Sequence, residues 1–225
     1  MGRLMHAYFR HRYAALFYVL ILTIGVGPLL VALDIDRNWL RIILEISLFA
    51  AVFGFTSTRH SQLLRLLLIV GLAGRLAALV LEHRGLAMAT QPVVIGLALV
   101  ATVGALLYAL RAPEVGVEHV YAALDAYILA GVFWGMLHFE VEHAWPGSYV
   151  ASGVALPEFP LRTAIYFSFV TLATLGYGDI IPKTEVARGI TVVEAIAGQL
   201  YLAVLIARLV SNATAAVVRE ENETR

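Results

Sequence analysis

The chain has 225 residues, of which 60% are hydrophobic and 14% charged, with a mean hydropathy of +0.82. Globular domains are about 45–50% apolar and about 25% charged, so an ordinary soluble domain is excluded. The 16 basic and 16 acidic residues cancel and offer no basic face to nucleic acid, and the lack of cysteine excludes disulfides and thiolate metal sites. What remains is a polytopic protein of the lipid bilayer.

A spanning helix needs about 20 mostly apolar residues. Six segments qualify: Ala14–Leu33, Trp39–Thr56, Leu63–Leu81, Val93–Leu110, Val120–Phe139 and Ala187–Ser211. Leu161–Leu175 is apolar but too short to cross, and it ends in a glycine pair, so it reads as re-entrant. The first segment outlasts the apolar core of a signal peptide, and no A-x-A site follows it, so it is expected to stay as a span. Arg3, Arg10 and Arg12 put the N-terminus inside. Six spans then return the C-terminus to the cytoplasm and leave the re-entrant segment outside, in a cell membrane. Residues 1–13 and 212–225 are too short to bury a core, so no soluble ligand-binding domain is expected in the chain.

Residues 14–111 form the expected four-helix front half. Its fourth span, Val93–Leu110, contains no lysine or arginine. A charge crossing the field contributes about 2.3 kcal/mol per 100 mV, so voltage dependence should be weak. Glu45 and Arg75 each lie about six residues from the outer ends of spans two and three. At about 1.5 Å per residue both are about 9 Å deep, where an unpaired charge is costly, and an ion pair locking two helices is expected.

Asp125 in span five and Arg208 in span six are candidates for a second pair near the inner side, as packing or as a gate latch. Glu194 lies in the outer half of span six. It could accept hydrogen bonds from the re-entrant helix or raise cation occupancy electrostatically. His138, Glu140, Glu142 and His143 close span five and read as a solvated acidic turret, with divalent binding as the alternative.

Residues 171–182 read Thr-Leu-Ala-Thr-Leu-Gly-Tyr-Gly-Asp-Ile-Ile-Pro. A dehydrated cation needs oxygen ligands in place of its water shell. Backbone carbonyls supply them only if successive peptides turn the same way, which demands backbone angles that glycine reaches at least cost. Gly176 and Gly178 therefore alternate with Leu175 and Tyr177, whose side chains should point back and brace the strand. The Thr174 hydroxyl can add a ring of oxygens. The preceding helix, Tyr166–Leu172, turns its negative dipole end toward the ion.

Thr174–Gly178 differs by one residue from the TVGYG filter of potassium channels. Residues 118–211 resemble the pore module of that superfamily, with outer helix, pore helix, filter and inner helix. Tyr166, Phe167, Ser168 and Thr171 stand where bacterial two-helix channels carry an aromatic pair, serine and threonine. Pro182, Thr184 and Arg188 match positions after the filter, and residues 198–204 look like small six-span bacterial channels. The resemblance implies K+ as the permeant ion, no cofactor and no enzymatic activity. It implies a homotetramer, since one filter motif lines a quarter of a pore, and a gating hinge at Gly198.

Three departures stand out. Leu175 replaces valine. Val170 sits where some relatives carry a glutamate behind the filter, and Phe167 where many carry a tryptophan that braces the filter aspartate. Asp179 would then lack both partners, and filter inactivation should be altered. A less selective cation channel is the alternative opened by Leu175, and a potassium-transporter subunit is a second. Transporters usually carry internal repeats, and no second re-entrant copy occurs here.

Overall fold

The computed structural model describes residues 11–33, 38–55, 69–71, 73–75, 77–78, 84–111, 115–151, 153–156 and 158–223. The basic cluster at Arg3 and Arg10 and most of the expected third span lie outside them. The chain is mostly helical: α1 (Arg12–Ala32), α2 (Asn38–Phe55), α3 (Arg84–Arg111), α4 (Val117–Ala144), α5 (Leu161–Leu172) and α6 (Glu185–Glu223). Among the described residues, three helical stretches are long and apolar enough to cross a membrane: Ala89–Arg111, Val117–Ala144 and Glu185–Asn212.

Two compact units divide the chain, and the division falls inside α4, between Leu129 and Ala130, rather than only in the linker before it. In the first unit α1 packs on α2, and α2 on α3. An apolar environment offers no water to polar side chains, so they bond locally. Thr23, Ser47 and Thr102 each donate to the carbonyl four residues back, at 2.6, 2.7 and 2.8 Å. The N-terminal end of α1 is held by aromatic contact: Tyr13 stacks on Tyr108 with centroids 4.6 Å apart, and Tyr108 on His119 at 4.8 Å.

The second unit holds the later part of α4, a small sheet, α5 and α6. An all-α chain was the sequence expectation. The sheet departs from it: β1 (Tyr149–Ala151), β2 (Val154–Ala155) and β3 (Ile181–Pro182), in the order β2-β1-β3. Both pairings are antiparallel, with Val150 opposite Ala155 on one side and Ile181 on the other. The sheet forms because the loops before α5 and after Asp179 each present a short extended run, and pairing satisfies their backbone groups. Tyr149, Phe159, Phe167, Val141 and Ala187 form the apolar cluster beneath it.

Candidate functional site: the re-entrant helix and its loop

Helix α5 starts behind Pro160, which has an extended φ of −67° and ψ of 158°. Proline pre-sets this angle and spares a donor that a helix start would leave unpaired. Three glycines seat α5 at backbone distance. A Cβ on Gly131 would meet the Phe169 ring at 2.5 Å, and one on Gly135 would meet the Ile165 Cα at 2.7 Å. Four residues apart on α4, they form the small-xxx-small surface that lets membrane helices approach closely. On the other side, a Cβ on Gly198 of α6 would stand 2.4 Å from the Leu172 carbonyl oxygen. Gly198, the expected hinge, is also a packing seat in this structure.

Beyond α5 the backbone alternates in hand. Thr174, Gly176 and Gly178 have φ of +57°, +55° and +76°. The sequence reading anticipated this at the two glycines and missed it at Thr174, where a β-branched residue pays for a left-handed conformation in strain. The N–H groups of Leu175 and Gly176 both turn back to the Val170 carbonyl, at 2.8 and 3.3 Å. In a trans-planar peptide the C=O points opposite its N–H. The carbonyls of Thr174 and Leu175 therefore face away from α5. The Thr174 N–H closes the turn on the Thr171 carbonyl at 2.9 Å, and its hydroxyl accepts from the Gln199 amide at 3.3 Å. Leu175 and Tyr177 are exposed in the single chain, so the bracing expected of them does not come from within it.

Asp179 has a partner other than the two that Phe167 and Val170 replace. The Tyr166 hydroxyl donates to its carboxylate at 2.8 Å. Phe167, one residue on, instead points into the buried cluster, with its ring 4.9 Å from that of His138 and 5.2 Å from Tyr149. The rotation of α5 decides which of two adjacent aromatics meets the loop.

Glu194 is fully buried and joins four elements. His138 Nε2 lies 2.7 Å from its Oε2, and the Ser168 hydroxyl 2.5 Å from its Oε1. Ser168 also lies 2.8 Å from the Gly131 carbonyl, and His138 Nδ1 2.6 Å from the Tyr149 hydroxyl. Burial, with Glu194 and Glu142 nearby, pushes the Tyr149 hydroxyl well above its ordinary value, so it remains a donor. This arrangement corrects the turret reading: His138 is completely buried, and Glu142 accepts the backbone N–H groups of Gly147 and Tyr149 at 2.7 and 3.0 Å. Among the described residues no group of three metal-ligating side chains occurs.

In the first unit Arg75 Nη2 lies 3.0 Å from Glu45 Oε1 and also donates to Gln91. Asp125 is fully buried on α4 and Arg208 half-buried on α6, and the two residues belong to different units.

A family model described as ion channel matches residues 122–215. Over 96 residues, 42% of the chain, the sequence is 35% identical to two pore potassium channel c of Oryza sativa subsp. japonica. Over 66 residues, 28% of the chain, it is 39% identical to two-pore potassium channel 4 of Arabidopsis thaliana. The matched segments cover 19% and 23% of those relatives, so the chain spans about a fifth of their length. No solved structure matches. The matched segment is thus similar to an ion-channel family and to parts of proteins described as potassium channels.

Proposed function

We propose that the chain is one subunit of a homotetrameric potassium channel, with Thr174–Gly178 lining a quarter of the filter. The observation that carries this reading is the alternating backbone of residues 174–178, with the Thr174 and Leu175 carbonyls turned away from α5. Four such loops around an axis place rings of oxygens where a dehydrated K+ needs them, and adjacent weak sites let ions displace one another. The Thr174 hydroxyl and the carbonyls of Thr174, Leu175, Gly176 and Tyr177 are the ligands. The relatives are described as two-pore, whereas this chain holds one filter motif, so four copies complete one pore. Exposed Leu175 and Tyr177, and the exposed apolar side chains Val193, Ile196, Leu200 and Val204 on α6, find cover against neighbouring subunits and lipid. The fold in the bilayer is six spans with both termini cytoplasmic, in the cell membrane, and the gate responds weakly to voltage.

Potassium efflux from liposomes containing the purified protein tests the reading. Wild type should release K+, and Gly176→Ala, which forces a side chain onto a left-handed residue, should not. Equal release from both would sink it. A less selective cation pore remains a second reading because Leu175 replaces the valine of the usual filter. The K+/Na+ reversal potential under bi-ionic conditions separates the two.

A further inference from the structure

The links around Glu194 can be counted in protons. Four contacts run in series: Gly131 carbonyl to Ser168, Ser168 to Glu194, Glu194 to His138, and His138 to Tyr149. Each needs one hydrogen between its atoms. The Gly131 carbonyl can only accept, so the single Ser168 proton belongs there. The 2.5 Å contact between Ser168 Oγ and Glu194 Oε1 must then be filled by a proton on Glu194. His138 donates Nε2–H to Glu194 Oε2, and Tyr149 donates O–H to His138 Nδ1. Every link is filled and the cluster is neutral. An imidazolium with a carboxylate has the same net charge, but Ser168 must then divide one proton between two acceptors, and the Tyr149 hydrogen has no place in the chain of links. With one proton fewer, a negative charge is buried at a site where Ser168, His138, Glu194 and Tyr149 are all at most 0% exposed, an environment that strongly disfavours it.

We propose that Glu194, with His138, Ser168 and Tyr149, forms a proton-binding site, and that the bound proton fastens the pore helix α5 to the inner helix α6. The titratable groups facing Glu194 are His138 from α4 and Tyr149 from β1, with Glu142 of α4 beyond them on the Tyr149 backbone N–H. From α5 the contact is the Ser168 hydroxyl, and on α6 itself Glu185 and Arg188 pair with each other at the exposed end. Among the described residues, no lysine or arginine pairs with Glu194 to offset the charge left when the proton leaves. Alkaline conditions at the Asp179 end of the loop therefore loosen the fastening, leaving Ser168 one proton to divide between the Gly131 carbonyl and a buried carboxylate. If the chain conducts as proposed above, its conduction falls as that pH rises and recovers when the pH is lowered.

Two measurements test this, and the first needs no conduction. Infrared spectra of the purified wild-type protein labelled with ¹³C-glutamate should show, near neutral pH, a label-shifted carboxylic-acid carbonyl band. The band should fade on alkaline titration and be missing in Glu194→Gln. Absence of a protonated glutamate band in wild type, or its persistence unchanged in a folded Glu194→Gln, overturns the proposal. Where Glu194→Gln does not fold, His138→Phe serves instead: removing the N–H on the carbonyl should move the band to higher frequency, and an unmoved band overturns the assignment. The second is conduction in planar bilayers against pH on each side. Glutamine presents an N–H to Ser168 as the acid does, so Glu194→Gln should conduct and lose at least tenfold of any alkaline inhibition. An identical pH response in both proteins refutes the coupling to conduction. A wild-type protein that passes no K+ but shows the band fails the channel reading alone.

Discussion

Replacing Gly198 by alanine separates a packing seat from a hinge. The new Cβ would lie 2.4 Å from the Leu172 carbonyl oxygen and 3.0 Å from Leu172 Cδ1. Ordinary contact begins at 3.4 Å, so the end of α5 and α6 must part by about 1 Å. A side chain could rotate away, but a carbonyl in the last helical turn cannot. Overpacking of this kind costs about 1–3 kcal/mol. Gly189→Ala is the matched control: it lies on the same helix with nothing within 4 Å of its Cβ. Both variants gain about 1 kcal/mol of helix propensity, so the difference between them isolates the clash. Thermal unfolding in detergent should place Gly198→Ala below Gly189→Ala by about 2–4 °C for each kcal/mol. Leu172 stands two residues before Thr174, so potassium flux should fall in Gly198→Ala as the loop is displaced. Equal unfolding temperatures, with only open duration changed, would refute the seat and restore the hinge.

Tyr166→Phe removes the hydroxyl that reaches Asp179 and should change the rate of current decay during sustained opening several-fold; an unchanged rate would deny the contact a role in the filter. Reversing Glu45 or Arg75 alone should cost about 3–5 kcal/mol and lower the folded yield, because one buried charge is left facing its like. The double reversal should restore much of the yield in size-exclusion chromatography, though not all, since Arg75 also bonds Gln91. Conductance–voltage curves should be shallow, because α3 carries no basic residue between Val93 and Leu110; a curve with several gating charges would contradict this.

What could be read from the sequence was the chemistry carried by adjacent residues. Gly176 and Gly178 announce their backbone angles because only glycine takes them cheaply, and the apolar run from Leu161 sets the start of α5. The pairing of Glu45 with Arg75 followed from counting along two helices. What could not be read depends on rotation and on distant approach. The choice between Tyr166 and Phe167 rests on a rotation of α5 that packing against Gly131 and Gly135 decides. His138 and Glu194 are 56 residues apart, and no local pattern pairs them. Two signals were present nonetheless: Gly131 and Gly135 at helical spacing mark a close helix contact, and a glutamate within a span needs a partner. The strain at Thr174 has no sequence mark, since its φ is imposed by the bonds at Val170 and Thr171.

The small sheet gives the loop a fixed reference outside the helices. β3 begins two residues after Asp179 and pairs with β1, while the Lys183 N–H reaches the Ser148 carbonyl at 2.7 Å. The position of the strand leaving Gly178 is thus indexed to Tyr149 and Val150. A one-residue slip in that pairing turns the outward side chains of β3 inward. Length added in the turn between β1 and β2 leaves the pairing of β1 with β3 untouched. Length can therefore vary at the bend before the re-entrant helix while the strand leaving Gly178 keeps its register.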